Sequence, residues 1–203
     1  MPAHFLDDLT RRDTAIRLAT YAVNGDKGRD RGDPVHEEVT EGRYAQWVDA
    51  KARKAPWAVG MVYSSCGDLV AWMLYRLGCR DERLVNRTAD EGQTPWMPGR
   101  NVTNIVSHRA YCKAGRGAEP QPGDVLYELR PAGGHLDVLE SWDAAAGVAW
   151  VLAYGQPGGR RRRRAIRSDG RGGWLVDGVT LDGWLDLDGV AWAAEPDLSW
   201  VDA

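Results

Sequence analysis

The sequence predicts an α+β fold in which N-terminal helices pack on a C-terminal antiparallel β-sheet. Apolar residues recur with a helical period in the first half of the chain, and from Gln121 onward they follow the two-residue period of strands. Turn sequences at Pro122-Gly123-Asp124 and after Leu129 separate the strands, and short turns favour antiparallel pairing. Helices followed by strands are typical of the α+β class.

Length and composition indicate one main domain with an N-terminal extension. The 203 residues can bury a substantial core. We assign residues 1–55 to a helical extension and residues 56–203 to the main domain. The net charge of −3 gives no electrostatic reason to expect a nucleic-acid partner. The three cysteines include no C-x-x-C pair, so we expect free thiols and no zinc site.

The N-terminal half contains several predicted helices. Apolar spacing predicts a helix over residues 13–23, and the Gly- and Asp-rich segment 24–34 reads as a loop. A second helix is predicted over residues 41–54, ending before Pro56. A further helix is predicted over residues 101–112.

A helix predicted over residues 66–77 carries a cysteine on its first turn. Ser65 followed by Asp68 resembles a capping box, and Gly78 is a natural C-terminal stop. Helical spacing puts Cys66 on the face that carries Leu69, Val70, Met73, Leu74 and Leu77. A helix N-terminus lowers the pKa of a thiol, and its free amides can bind an oxyanion. Cys66 is therefore a candidate nucleophile.

The second half predicts strands over residues 125–129, 135–142 and 148–154, with shorter candidates over residues 163–168, 173–176 and 190–192. The five arginines Arg160 to Arg164 interrupt this pattern. We expect them to form a solvated hairpin loop, and the alternative is contact with an anionic polymer or an acidic partner.

His135 is the candidate base for a Cys66 nucleophile. It opens a strand directly after two glycines, and strand alternation places it on one face with Asp137, Leu139 and Ser141. If that face meets the Cys66 helix, the imidazole can exchange a proton with the sulfur. His135-x-Asp137 is also half of a zinc site, but the other ligands are missing, so we expect no metal.

Three motifs together resemble the NlpC-type papain-like cysteine peptidases and the related CHAP amidases. They are Cys66-Gly-Asp-Leu-Val on a helix, Gln121-Pro-Gly-Asp-Val-Leu-Tyr opening a strand, and Gly133-Gly-His-Leu-Asp-Val-Leu opening the next. The resemblance covers roughly residues 63–156. It implies a papain-like fold for residues 56–203, with no cofactor and no metal.

By this resemblance Cys66 is the nucleophile and His135 the base. A polar residue on the following strand, Tyr154 or Gln156, would orient the imidazole. The candidates on the oxyanion or substrate side are Tyr63, Ser65, Trp96 and Asp137.

The implied activity is hydrolysis of amide bonds in peptidoglycan stem peptides through a Cys66 thioester. Two alternatives stay open: an inactive structural or binding module of a phage or secretion apparatus, and a toxin that acts on a protein amide and is paired with an immunity protein. Residues 1–20 lack the apolar core of a signal peptide, and no apolar run is long enough for a membrane span. We therefore expect synthesis in the cytoplasm, with export through a specialised secretion system or by phage lysis.

Overall fold

The computed structural model describes residues 10–25, 66–85, 105–115, 117–130, 133–153 and 160–197. Three α-helices in these ranges are α1 (Arg11–Gly25), α2 (Cys66–Arg76) and α3 (Glu82–Val85). The strands are β1 (Tyr111–Lys113), β2 (Val125–Arg130), β3 (Gly133–Asp143), β4 (Val148–Ala153), β5 (Arg160–Ser168), β6 (Trp174–Val176) and β7 (Val179–Leu185).

Strands β2 to β7 form a closed antiparallel barrel of six strands. Neighbouring strands pair in the order β7-β2-β3-β4-β5-β6, and β6 pairs with β7 again, which closes the ring. Strand β1 pairs with residues 183–185 of β7 and is not a member of the ring. The predicted α+β, papain-like fold, with N-terminal helices packed on a C-terminal antiparallel β-sheet, is therefore wrong. Closure depends on β7, which pairs with β1, β2 and β6 and which the sequence analysis did not identify as a strand.

Two apolar cores lie on the two sides of the barrel wall. The inner core receives a side chain from every barrel strand; its buried members are Leu126, Leu139, Ala149, Val151, Ile166, Val176, Leu181 and Trp184. The outer core joins α1 and α2 to the alternate residues of the wall, among them Val125, Leu136 and Val138. Because strand side chains alternate, the residues two positions from inner-core members also face the barrel interior.

Helix α2 confirms the sequence prediction closely. It begins at Cys66, and the apolar side chains predicted to share a face are all buried. Its end is a Schellman motif, in which the N–H of Cys79 donates to the carbonyl of Leu74 and the N–H of Gly78 donates to that of Tyr75. Gly78 has a φ of 94°, which glycine adopts without strain.

Helix α1 is also confirmed and is two residues longer than predicted at each end. Its Arg12 fixes it to the barrel through three carboxylates, at 2.5 Å from Asp124, 2.7 Å from Asp186 and 3.0 Å from Asp188. Burial opposes the guanidinium charge, but the carboxylates of Asp188 and Asp124 outweigh burial and raise the pKa of Arg12. The predicted helix over residues 41–54 lies outside the described residues.

Several local predictions are corrected by the structure. The helix predicted over residues 101–112 does not continue to its expected end, because residues 107–110 form turns and Tyr111–Lys113 form β1. Residues 190–192 contribute a single bridge between Cys79 and Trp192 instead of a strand. The arginine run is part of β5 and not a hairpin loop.

The β6–β7 connection is a two-residue hairpin turn. Asp177 and Gly178 have φ values of 47° and 82°, as a type I′ turn requires. Antiparallel order places this turn at the same end of the barrel as the β2–β3 and β4–β5 connections. We call this end the β3-start end, because β3 begins there. Among the described helices, none has the length and hydropathy needed to cross a bilayer.

Candidate active site

His135 lies near the beginning of β3, at the β3-start end of the barrel. It is two residues before Asp137 and four before the inner-core residue Leu139, so the three side chains share the inner face, as the sequence predicted. A bulge between Leu139 and Ser141 ends this alternation, and Trp142 packs on the inner core instead of Ser141. The imidazole is buried, with 5% of the residue exposed.

The Cys66 thiol lies within hydrogen-bonding reach of the His135 imidazole. Cys66 is half-buried against the outer core and is the first residue of α2. Helix α2 packs against β3, and the contact between Cys66 and His135 places the helix N-terminus at the strand end that carries His135. The first amides of a helix have no partners within the helix, and they favour negative charge.

The second contact of the imidazole is with Asp137. The Nε2 atom of His135 lies 2.9 Å from Oδ1 of Asp137, in ion-pair contact but without the alignment of a full hydrogen bond. Burial works against an imidazolium here. The Asp137 carboxylate and the Cys66 sulfur nevertheless outweigh burial and raise the pKa of His135 to about 9. The raised pKa favours the protonated ring at neutral pH.

A buried ionic network extends from Asp137 across the barrel interior. Arg164 of β5 lies 3.3 Å from Oδ2 of Asp137 and 2.9 Å from Oε1 of Glu128, and it also contacts Asp177 at 2.5 Å. Arg130 holds the other oxygen of Glu128 at 2.7 Å. Glu128, Asp137 and Arg164 are each at most 5% exposed. The carboxylate behind His135 is thus itself held by a buried cation.

The network shifts the proton affinity of its members. Burial, followed by the charge of Asp137, raises the pKa of Glu128 against the opposing effect of Arg164. Burial also disfavours the charged form of Arg164, but the neighbouring carboxylates outweigh it and raise the pKa of that guanidinium. The network is stable only while its anions and cations balance, because a buried charge without a partner is costly.

Of the predicted site residues, Cys66, His135 and Asp137 come together. Asp137, which we assigned to the oxyanion or substrate side, contacts the imidazole instead. The candidates Tyr63, Ser65, Trp96, Tyr154 and Gln156 lie outside the described residues.

Sequence reasoning did not identify Arg164 and Glu128. A usable signal exists for Glu128, since it is a charged residue inside the apolar run Val125–Arg130. For Arg164 the signal is weaker. It lies two residues before the apolar Ile166 in the same strand, and this spacing indicates that the two side chains share a face.

The other two thiols are in different surroundings. Cys79 is fully buried, and burial raises the pKa of its thiol. Burial also raises the pKa of Cys112, which lies on β1. Only Cys66, among these thiols, contacts an imidazole in the described part of the chain.

Nothing in the described segments groups three or more His, Cys, Asp or Glu side chains as a metal site would require. Comparison with known proteins found no match among protein families, curated proteins or solved structures.

Proposed function

We propose that this chain is a thiol hydrolase that cleaves amide bonds, with Cys66 as nucleophile and His135 as general acid and base. One observation carries the proposal: the thiol of the half-buried Cys66, at a helix N-terminus, contacts a buried imidazole that Asp137 holds from another side. A nucleophile, a base and a group that orients the base are the parts that covalent acyl transfer needs.

The geometry supports a two-step reaction. The Cys66 thiolate attacks the amide carbonyl, and the positive end of the α2 dipole stabilises the oxyanion. His135 then donates its proton to the leaving nitrogen as the C–N bond breaks, which leaves a thioester on Cys66. In the second step His135 takes a proton from water while the water oxygen attacks the thioester carbon. The C–S bond then breaks, which releases the carboxylic acid and restores the Cys66 thiolate and the protonated His135 ring.

Asp137 has a defined part in this scheme. A carboxylate on Nε2 fixes the ring and stabilises its positive charge, so the remaining ring nitrogen is the one available to the sulfur. We propose Asp137 for the orienting role in place of Tyr154 or Gln156.

Peptidoglycan stem peptide is the first substrate to test, because the ordered motifs around Cys66 and His135 resemble enzymes that act on it. The experiment measures release of new amino groups from purified peptidoglycan. We expect Cys66→Ala to abolish release, since no other described thiol contacts an imidazole. The matched control is Cys112→Ala, which removes a thiol that is not among the partners of His135 and should keep the activity.

Two results would count against the proposal. Undiminished release by Cys66→Ala would exclude the thiol mechanism. If the wild-type chain releases no amines and its Cys66 alkylates like an ordinary thiol, with a midpoint of about pH 8.5, the binding-module alternative gains support. Release of amines from a protein substrate but not from peptidoglycan would keep the mechanism and change the substrate.

A further inference from the structure

The positive and negative charges around His135 are equal in number only if Arg164 of β5 is included. The buried anions are Glu128 and Asp137, and a Cys66 thiolate would add one more. The buried or half-buried cations are Arg130, Arg164 and the protonated ring of His135. Removing Arg164 leaves three anions facing two cations.

Arg164 is the member that joins the two carboxylates. Its guanidinium lies 3.3 Å from Asp137 and 2.9 Å from Glu128, and its side chain is 6% exposed. Glu128 has a second cation in Arg130, whereas the cations that contact Asp137 within the described ranges are Arg164 and His135. Asp177 also contacts Arg164, but its side chain is 46% exposed and water screens its charge.

We propose that Arg164 is a positioning residue that maintains the charged Cys66–His135 pair by neutralising the two buried carboxylates behind it. Without this cation the site holds one excess negative charge, which disfavours a further negative charge on the Cys66 sulfur. Arg164 affects the nucleophile through Asp137 and touches neither substrate nor sulfur. This inference rests on the proposed function.

The neighbouring arginines supply a matched control. Side chains of β5 point alternately to the two faces of the barrel wall. Arg161 and Arg163 are therefore exposed, whereas the next residue, Arg164, is buried. Arg163 pairs in register with Trp150 on the strand beside it and carries the same charge. Arg163→Met thus removes one arginine of the run without touching the network.

The experiment measures the rate at which iodoacetamide alkylates Cys66 as a function of pH, by mass spectrometry of the whole chain. We expect Arg164→Met to lower the rate at about pH 6.5 by roughly tenfold and to move the midpoint up by about one pH unit, since one uncompensated buried charge costs about that much. Arg163→Met should follow the wild-type profile.

A double variant separates this electrostatic effect from damage to the fold. In Glu128→Gln with Arg164→Met, one anion and one cation are removed together, so the remaining charges balance again. We expect the midpoint to return towards the wild-type value. Glu128→Gln alone leaves one excess cation, so its midpoint should move to lower pH.

Each outcome has a defined meaning. An unchanged midpoint in Arg164→Met, or a double variant no closer to the wild type than the single variant, would overturn the proposal. If Arg164→Met does not fold, Glu128→Gln decides the question, since an unshifted midpoint there would overturn it equally. A wild-type midpoint of about pH 8.5 would instead argue against the proposed function itself. The two failures are therefore distinguishable.

Discussion

Two regions of this molecule bring together a cysteine, a histidine and an aspartate, yet only one of them is arranged for thiol chemistry. At the β3-start end, the Cys66 sulfur contacts the His135 ring, and the ring contacts Asp137. After the end of α2, the sulfur of Cys79 accepts a hydrogen bond from the backbone N–H of Asp81. The carboxylate of Asp81 lies 3.3 Å from Nε2 of His108. The order is thiol, imidazole, carboxylate in the first region and thiol, carboxylate, imidazole in the second.

The order decides which group can exchange a proton with the sulfur. In the second region, Nδ1 of His108 accepts the N–H of Ala110 at 3.1 Å, and Nε2 faces Asp81, so no ring nitrogen is left for a thiol. The charge of Asp81 adds to burial in raising the pKa of Cys79. In the first region the sulfur faces the positive ring. The same three residue types thus produce an inert thiol in one place and a candidate nucleophile in the other.

The function of the second region is structural. Contact with Arg83 in particular lowers the pKa of Asp81, and this carboxylate also accepts the backbone N–H of Arg83 at 3.0 Å, at the start of α3. His108 ties the segment before β1 to this helix start. Both ring nitrogens of the buried His108 have partners, as the interior of a stable protein requires.

The largest expected difference between the regions is in alkylation of the two thiols. At about pH 6.5 we expect iodoacetamide to modify Cys66 on the order of 1,000-fold faster than Cys79, because Cys79 is buried and its raised pKa leaves almost no thiolate. Peptide mapping of the native chain after timed alkylation would measure both rates. Denatured protein is the control, in which both thiols should react alike. Comparable rates in the native chain would remove the contrast between the two regions.

A second expected difference concerns the pH dependence of stability. The imidazole of His135 has a pKa of about 9 in the folded chain and about 6.5 when unfolded, so the folded chain binds its proton more tightly. The resulting stabilisation is fully present below about pH 6.5 and is lost as the pH rises through about 9. We measure it in a Cys66→Ser background, so that the thiol does not titrate in the same range.

In that background the free energy of unfolding, measured by urea denaturation, should fall by about 2 kcal/mol between roughly pH 6.5 and 9. The fall remains because Asp137 still raises the pKa of His135 when the Cys66 sulfur is absent. Adding His135→Gln should remove most of this decline. Adding His108→Gln, the matched change in the second region, should leave the decline in place. A decline that persists without His135 would show that another group causes it.

The parts of the molecule that the sequence predicts correctly depend on neighbours in the chain. Helix α2 follows from apolar spacing and from Gly78 at its end, and both are local signals. The shared face of His135 and Asp137 follows from strand alternation in the same way. Strands β2, β3 and β4 are also close to their predicted bounds, since apolar residues and turn sequences mark them.

The errors come from pairings between distant residues. Barrel closure depends on β7, which pairs with a strand far away in the sequence. Its partners in β2 lie between 51 positions away, for Leu129 and Thr180, and 60 positions away, for Val125 and Leu185. The arginine run was assigned to a loop because like charges are usually solvated. Its buried member is stable in the barrel because Glu128 and Asp137 arrive from β2 and β3, which no pattern within the run can indicate.

The smallest expected difference comes from replacing each histidine by glutamine and following the reactivity of Cys66. His135→Gln removes the positive ring beside the sulfur, so the alkylation rate of Cys66 at about pH 6.5 should fall by about tenfold, the effect of one pKa unit on the thiolate. His108→Gln should change the rate by less than about twofold, because that ring contacts Asp81 and not Cys66. Circular dichroism of both variants controls for loss of fold. Equal losses in the two variants would mean that Cys66 responds to general destabilisation, and the order of the three groups would then not explain the difference between the regions.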